Sequence, residues 1–168
     1  MRKKKTAMPR TGPARRARRK PAQRSVPLAP PPVPELCITL ADYYMGRDRL
    51  HADELTQELA ANAQRMVERA NALLHRAGLR RAVNSGWRPA AVNAAISNAA
   101  KKSRHLLCLA IDIDDDDGAL DAWCMAHLDV LEELGLWLEH PSATPRWCHV
   151  QIVQYGSWEP GKPRYFYP

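Results

Sequence analysis

The sequence predicts a small α+β domain, and three observations carry that prediction. Apolar residues recur at three- and four-residue spacing from Asp53 to Ala77, the signature of a long core helix. Two later runs, "LLCLAIDI" and "WCHVQIV", are short and rich in branched or aromatic residues, as strands are. Taken along the chain, the segments read helix, strand, helix, strand, helix, strand, strand, which suits helices packed on one face of a small antiparallel sheet.

Each element has its own local reason. "TLADYYMGRD" opens with Thr39 and Asp42 at capping-box spacing, which predicts a short helix. The long helix presents Leu55, Leu59, Ala63, Met66, Val67, Ala70, Leu73, Leu74 and Ala77 on one side, and Gly78 stops it. "LRRAVNSG" reads as a short strand. "WRPAAVNAAISNAA" puts Pro89 at the first turn of a second helix. Lys101 to Arg104 form a polar loop before the strand "LLCLAIDI", and "DDDDG" makes a turn whose Asp117 can cap the next helix. That helix carries Leu120, Trp123, Cys124, His127, Leu131 and Leu134 on one face and closes at Gly135. "LGLWLEH" is a short extended segment, "WCHVQIV" a strand from Trp147 to Val153, and "GSWEPGKPRYFYP" irregular. His51, His75 and His127 read as structural, and Trp123 and Trp137 as core.

The chain of 168 residues has room for one domain and a tail. Its net charge of +7 is unevenly placed: residues 1–34 hold 11 Lys and Arg and no acid, which leaves the remainder at −4. A charged, proline-rich segment with little to bury is expected to be disordered. We therefore divide the chain into a basic tail, 1–34, and a folded domain, 35–168. The tail suits contact with an anionic polymer or surface, or serves only as a solubilising extension. It lacks the apolar core of a secretory signal, and no stretch elsewhere has the roughly 20 apolar residues of a membrane span. Synthesis in the cytoplasm is the expectation, with reduced thiols, since Cys37, Cys108, Cys124 and Cys148 form no CxxC pair.

Strand alternation places the chemistry. In "LAIDI", Ala110 and Asp112 face away from Leu109, Ile111 and Ile113; in "HVQIV", His149, Gln151 and Val153 face away from Val150 and Ile152. If the two strands pair with their aliphatic sides on the helices, Asp112 and His149 emerge together, and His105 reaches them from the preceding loop. Two imidazoles and a carboxylate form the donor set of a catalytic zinc site with a fourth position for water. The spacing taken alone favours two surface histidines and the start of an acidic turn, because a histidine seven residues ahead of an aspartate is a weak pattern. Asp114 to Asp117 are not an EF-hand: with Gly118 at loop position 6, the first and twelfth positions fall on Ile113 and Cys124. HExxH, phosphate-loop and GxSxG motifs are absent.

Three ordered segments carry a resemblance. Ser85, Gly86, Trp87 and Arg88; then Ser103, His105, Ala110 and Asp112; then Trp147 and His149 resemble the motifs of the zinc D-alanyl-D-alanine metallopeptidases. These share a fold with hedgehog signalling domains and with bacteriophage L-alanyl-D-glutamate endolysins. The resemblance implies a zinc site on the open face of the sheet, with His105, Asp112 and His149 as ligands and Arg88 as a substrate contact; Ser103 contacts substrate, orients His105 or is a plain loop residue. It also implies hydrolysis of a peptide bond in peptidoglycan stem peptides by zinc-activated water, in the bacterial cell wall; separately, a monomer is expected. The D-Ala-D-Ala end, the L-Ala-D-Glu bond and a cross-bridge all stay open as the bond cut.

Two positions depart from the pattern. Cys108 stands where a glycine is expected, either tolerated or recruited as a fourth ligand. Arg146 stands where many relatives carry the catalytic acid three residues before the last histidine. The nearest upstream carboxylate is Glu139, which reaches the site if "LGLWLE" pairs beside "CHVQI". We assign the catalytic base to Glu139. His140 is either an oxyanion stabiliser or a solvent-facing loop residue. Two rival readings stand beside the enzyme: a catalytically inactive zinc-binding or peptidoglycan-recognition module, and a nucleic-acid-associated protein working through its tail.

Overall fold

The computed structural model describes residues 37–97, 99–153 and 162–168. The tail assigned to 1–34 and residues 154–161 lie outside the described residues.

The chain enters at α1 (Leu40–Tyr44), where Thr39 and Asp42 make the expected capping box, and turns through α2 (Arg47–Leu50). The helix α3 (Gln57–Ala77) then buries Ala63, Met66, Val67, Ala70, Leu73 and Leu74, and ends at Gly78 with a left-handed φ of 66°. Burying one such large side chain contributes about 1.5–3 kcal/mol, so this apolar stripe anchors the core. Thr56 caps α3 by accepting from Leu59 N–H.

Five strands form one mixed sheet in the order β1-β2-β4-β3-β5. They are β1 (Val83–Ser85), β2 (Ala110–Asp114), β3 (Trp137–Glu139), β4 (Trp147–Gln151) and β5 (Tyr165–Phe166). The pairs β1–β2, β2–β4 and β3–β4 are antiparallel, while β5 adds parallel to β3. The wholly antiparallel sheet expected from the sequence is thus corrected at one edge, because the aromatic C-terminal segment read as irregular contains a strand. Ile111 and Ile113 of β2, Val150 of β4 and Leu138 of β3 join the α3 side chains in one buried cluster. The helical and extended segments of the α+β expectation are therefore present.

Three boundaries differ from the sequence reading, each for a local reason. The strand read from Leu106 begins only at Ala110, because Arg104–Leu107 form a 3-10 turn capped by Ser103 and closed by Cys108 at φ 55°. The helix beginning at Pro89 is only α4 (Ala90–Ala95), with Pro89 as its N-cap. The helix after the acidic turn is two, α5 (Ala119–Ala126) and α6 (Leu128–Glu133), broken at His127. There His127 Nδ1 donates to the Trp123 carbonyl at 2.7 Å and the two rings stack at 4.2 Å. Asp115 as well as Asp117 caps α5: its two oxygens accept from Leu120 and Asp121 N–H, each at 2.9 Å.

Candidate metal centre

Asp112 and His149 are direct cross-strand partners in the β2–β4 ladder. His149 Nδ1 donates to Asp112 Oδ1 at 2.6 Å, and His105 Nε2 lies 3.3 Å from the same oxygen. All three side chains are buried. One ligand atom from each lies within 4.8 Å of the others, so the group can hold a metal ion. Alternation along two strands brings Asp112 and His149 together, and the 3-10 turn delivers His105 to them.

That turn is fixed from several sides. Ser103 Oγ accepts from His105 N–H at 3.4 Å, and Asn62 of α3 donates to the Leu107 carbonyl at 3.0 Å. Arg88 N–H donates to the His105 carbonyl at 3.2 Å. His105 Nδ1 donates to the Gly86 carbonyl at 2.7 Å, which leaves Nε2 to face the cluster as an acceptor. Sequence reasoning recognised Gly86 only as part of a motif, and it missed Asn62 altogether.

The electrostatics follow from burial opposed by pairing. Burial depresses His105, favouring the neutral imidazole that a metal requires. Burial would also lower His149, but Asp112, with Glu139 beyond it, outweighs that and raises it. Asp112 is desolvated, yet its two histidines hold it far below the usual carboxylate range. Arg88 donates to Asp112 Oδ2, to His105 Nε2 at 3.1 Å and to Ser85 Oγ at 2.8 Å. Ser85 reaches that position because β1 is irregular between Val83 and Ser85, where it pairs Asp112.

The expected β3–β4 pairing is present, with Leu138 opposite Val150. Glu139, one residue further on, has Oε2 3.8 Å from His149 Nε2, and burial raises its carboxyl above the ordinary value. Arg146, at φ 83°, instead pairs its exposed side chain with Asp116 at 2.9 Å. Cys108 is no part of the cluster: it is fully buried, and desolvation pushes its thiol up to about 12, only partly offset by Tyr43. Its recruitment as a fourth ligand is thereby corrected. His140 accepts from Ser142 N–H at 3.2 Å, stacks on Tyr167 at 4.5 Å and does not line the cleft.

The cluster opens into a cleft of about 530 Å³, which Arg88, Ser103, Glu139, Trp147, Gln151 and Phe166 help to line. A hollow of about 650 Å³ near Ile38, Met45 and Val83 has, among the described residues, Asp42 as its only carboxylate, already committed to the α1 cap. Among the described residues, no helix is long and apolar enough to cross a membrane.

The donor set of two imidazole nitrogens and one carboxylate oxygen, buried and convergent, fits zinc. A family model described as Peptidase M15 matches residues 36–136, a stretch that contains Arg88, His105 and Asp112 and stops short of Glu139 and His149. No curated protein and no solved structure gives a match.

Proposed function

Because the chain belongs to the Peptidase M15 family, and is therefore a metallopeptidase, we propose that it hydrolyses a peptide bond in the stem peptides of bacterial peptidoglycan, as a D-Ala-D-Ala carboxypeptidase or an endolysin-like endopeptidase. The observation that carries this reading is the convergence of His105, Asp112 and His149 beside Glu139, at the floor of one cleft. The helices packed against one side of the sheet support the hedgehog-like arrangement that goes with it.

His105, Asp112 and His149 would hold the zinc, which supplies a Lewis acid that acidifies water and polarises a carbonyl. In this mechanism Glu139 accepts the proton of the attacking water and returns it to the leaving amine. Its place against the His149 edge, half-buried in the wall of the cleft, suits both halves of that transfer. Arg88 offers a planar, multi-donor fork to a substrate carbonyl or carboxylate, and its Ser85 contact fixes the fork's plane. Ser103 holds the turn carrying His105 and faces the cleft. The rival reading as an inactive module drew on Arg146, and that side chain pairs with Asp116 rather than lining the cleft.

Glu139→Gln tests the assignment. We expect zinc occupancy equal to wild type and hydrolysis reduced about a hundred-fold or more. Unimpaired hydrolysis would remove Glu139 from the mechanism.

A further inference from the structure

We infer that Asn62 and Arg65 of α3 are positioning residues: acting through the turn that carries His105, they set how tightly the site holds zinc. This inference rests on the metal reading of the His105, Asp112 and His149 cluster and adds a determinant from outside the cleft. Asn62 is buried, and its Nδ2 donates to the Leu107 carbonyl at 3.0 Å, so α3 grips the turn at its last residue. Arg65, exposed and three residues further along α3, donates to Asn62 Oδ1. A side-chain amide has a donor end and an acceptor end, and a neighbour must decide which way round it sits. With Oδ1 held by a guanidinium, Nδ2 is the end that meets Leu107. The flipped amide would set donor against donor at Arg65 and oxygen against oxygen at Leu107.

The grip falls where the turn needs it. Leu107 leads into Cys108, which closes the turn at φ 55°, a backbone conformation that side chains rarely adopt. The peptide between the two is the one whose carbonyl Asn62 holds, so the bond opposes relaxation of Cys108. Ser103, Arg88 and Gly86 all reach the turn at His105 itself, and Asn62 secures its far end. Held from both sides, His105 Nε2 stays 3.3 Å from Asp112 Oδ1 in the protein alone. A turn released at one end spreads His105 over several orientations, and affinity falls by the fraction of time spent in the competent one.

The test uses the full chain. Zinc dissociation constants are measured by competition with a chromophoric chelator, Co2+ binding by its visible absorption, and stability of the metal-free protein by urea unfolding, for wild type, N62A, R65A and T56A. N62A should bind zinc about ten-fold more weakly than wild type and alter the Co2+ spectrum, and R65A should lose about three-fold. Thr56 caps the same helix without bonding the turn, so T56A should lose stability and keep the wild-type zinc affinity and Co2+ spectrum. Wild-type affinity in N62A, or an equal loss in T56A, overturns the inference, because Asn62 then does no more than support the helix. Should N62A not fold, R65A decides at an exposed position, and unchanged zinc affinity there overturns the inference. Zinc bound equally by all four proteins leaves the metal reading standing and removes only the inference. A folded wild-type chain that binds neither zinc nor cobalt removes both.

Discussion

A Cβ added at Gly86 would meet the Tyr43 carbonyl oxygen at 1.9 Å, far inside contact distance and against backbone that cannot easily give. The same residue's carbonyl orients His105. Gly86→Ala is therefore predicted to lose about 2 kcal/mol or more of stability and to weaken zinc binding as well, read by urea unfolding and zinc titration. Cys108 shows the complementary case, since its φ of 55° strains any side chain. Cys108→Gly and Cys108→Ala lose the same thiol, but only glycine relieves the strain, so Cys108→Gly should be the more stable by about 0.5–1 kcal/mol. Equal stability of the two variants would argue against strain at this position. Strand alternation, a local property of the chain, made Asp112 and His149 legible as neighbours, whereas His105, which lies on a turn, was legible only through the ordered motifs. The sequence did not show why residue 86 is glycine, because the reason lies in Tyr43, and nothing local gives Cys108 its left-handed backbone.

At the scale of elements, α3 does more than supply an apolar stripe. Asn71 Oδ1 accepts from Cys37 and Ile38 N–H at 2.8 and 2.9 Å, and its Nδ2 donates to the Ile38 and Val67 carbonyls. This buried amide pins the segment before α1 to the core. Asn71→Ala strands two backbone donors and should cost about 3 kcal/mol, measured by chemical denaturation. At the start of α5, burial, with Asp115 nearby, raises the Asp121 carboxyl to about 6, although the Cys148 thiol donates to it. An unfolded Asp titrates near 3.9, roughly. Between those values the folded chain holds a proton that the unfolded chain has lost, so the contribution of Asp121 to stability falls as pH rises through that window. Asp121→Asn removes the dependence, and the variant should gain on wild type between pH 4.5 and 7 in urea midpoints. A constant difference would contradict the raised carboxyl. Hydrophobic periodicity made α3 and the two central strands legible, because each shows its period over several residues. The 3-10 turn, the break at His127 and β5 were missed for a common reason. Each depends on a few hydrogen bonds, and an apolar pattern looks the same with or without them.

At the scale of the whole molecule, the site joins β2 and β4 to the turn held by α3. A ligand that bridges His105, Asp112 and His149 therefore ties separate parts of the fold together. Zinc that binds only the folded chain should raise its stability by about 2.7 kcal/mol at a hundred-fold excess over Kd. Thermal melts with zinc and with a chelator read this shift, and His149→Ala should abolish it. Pairing of β3 beside β4, legible once "LGLWLE" is read as extended, brings Glu139 to the same place from a third segment. The central claim is that these segments assemble a zinc peptidase acting on the cell wall. Its most direct test is mass spectrometry of fragments released from purified peptidoglycan, before and after chelation and again after zinc is restored. Our account predicts stem-peptide fragments that disappear with the chelator and return with zinc, their masses naming the bond cut. A folded, zinc-loaded protein that releases nothing would contradict it.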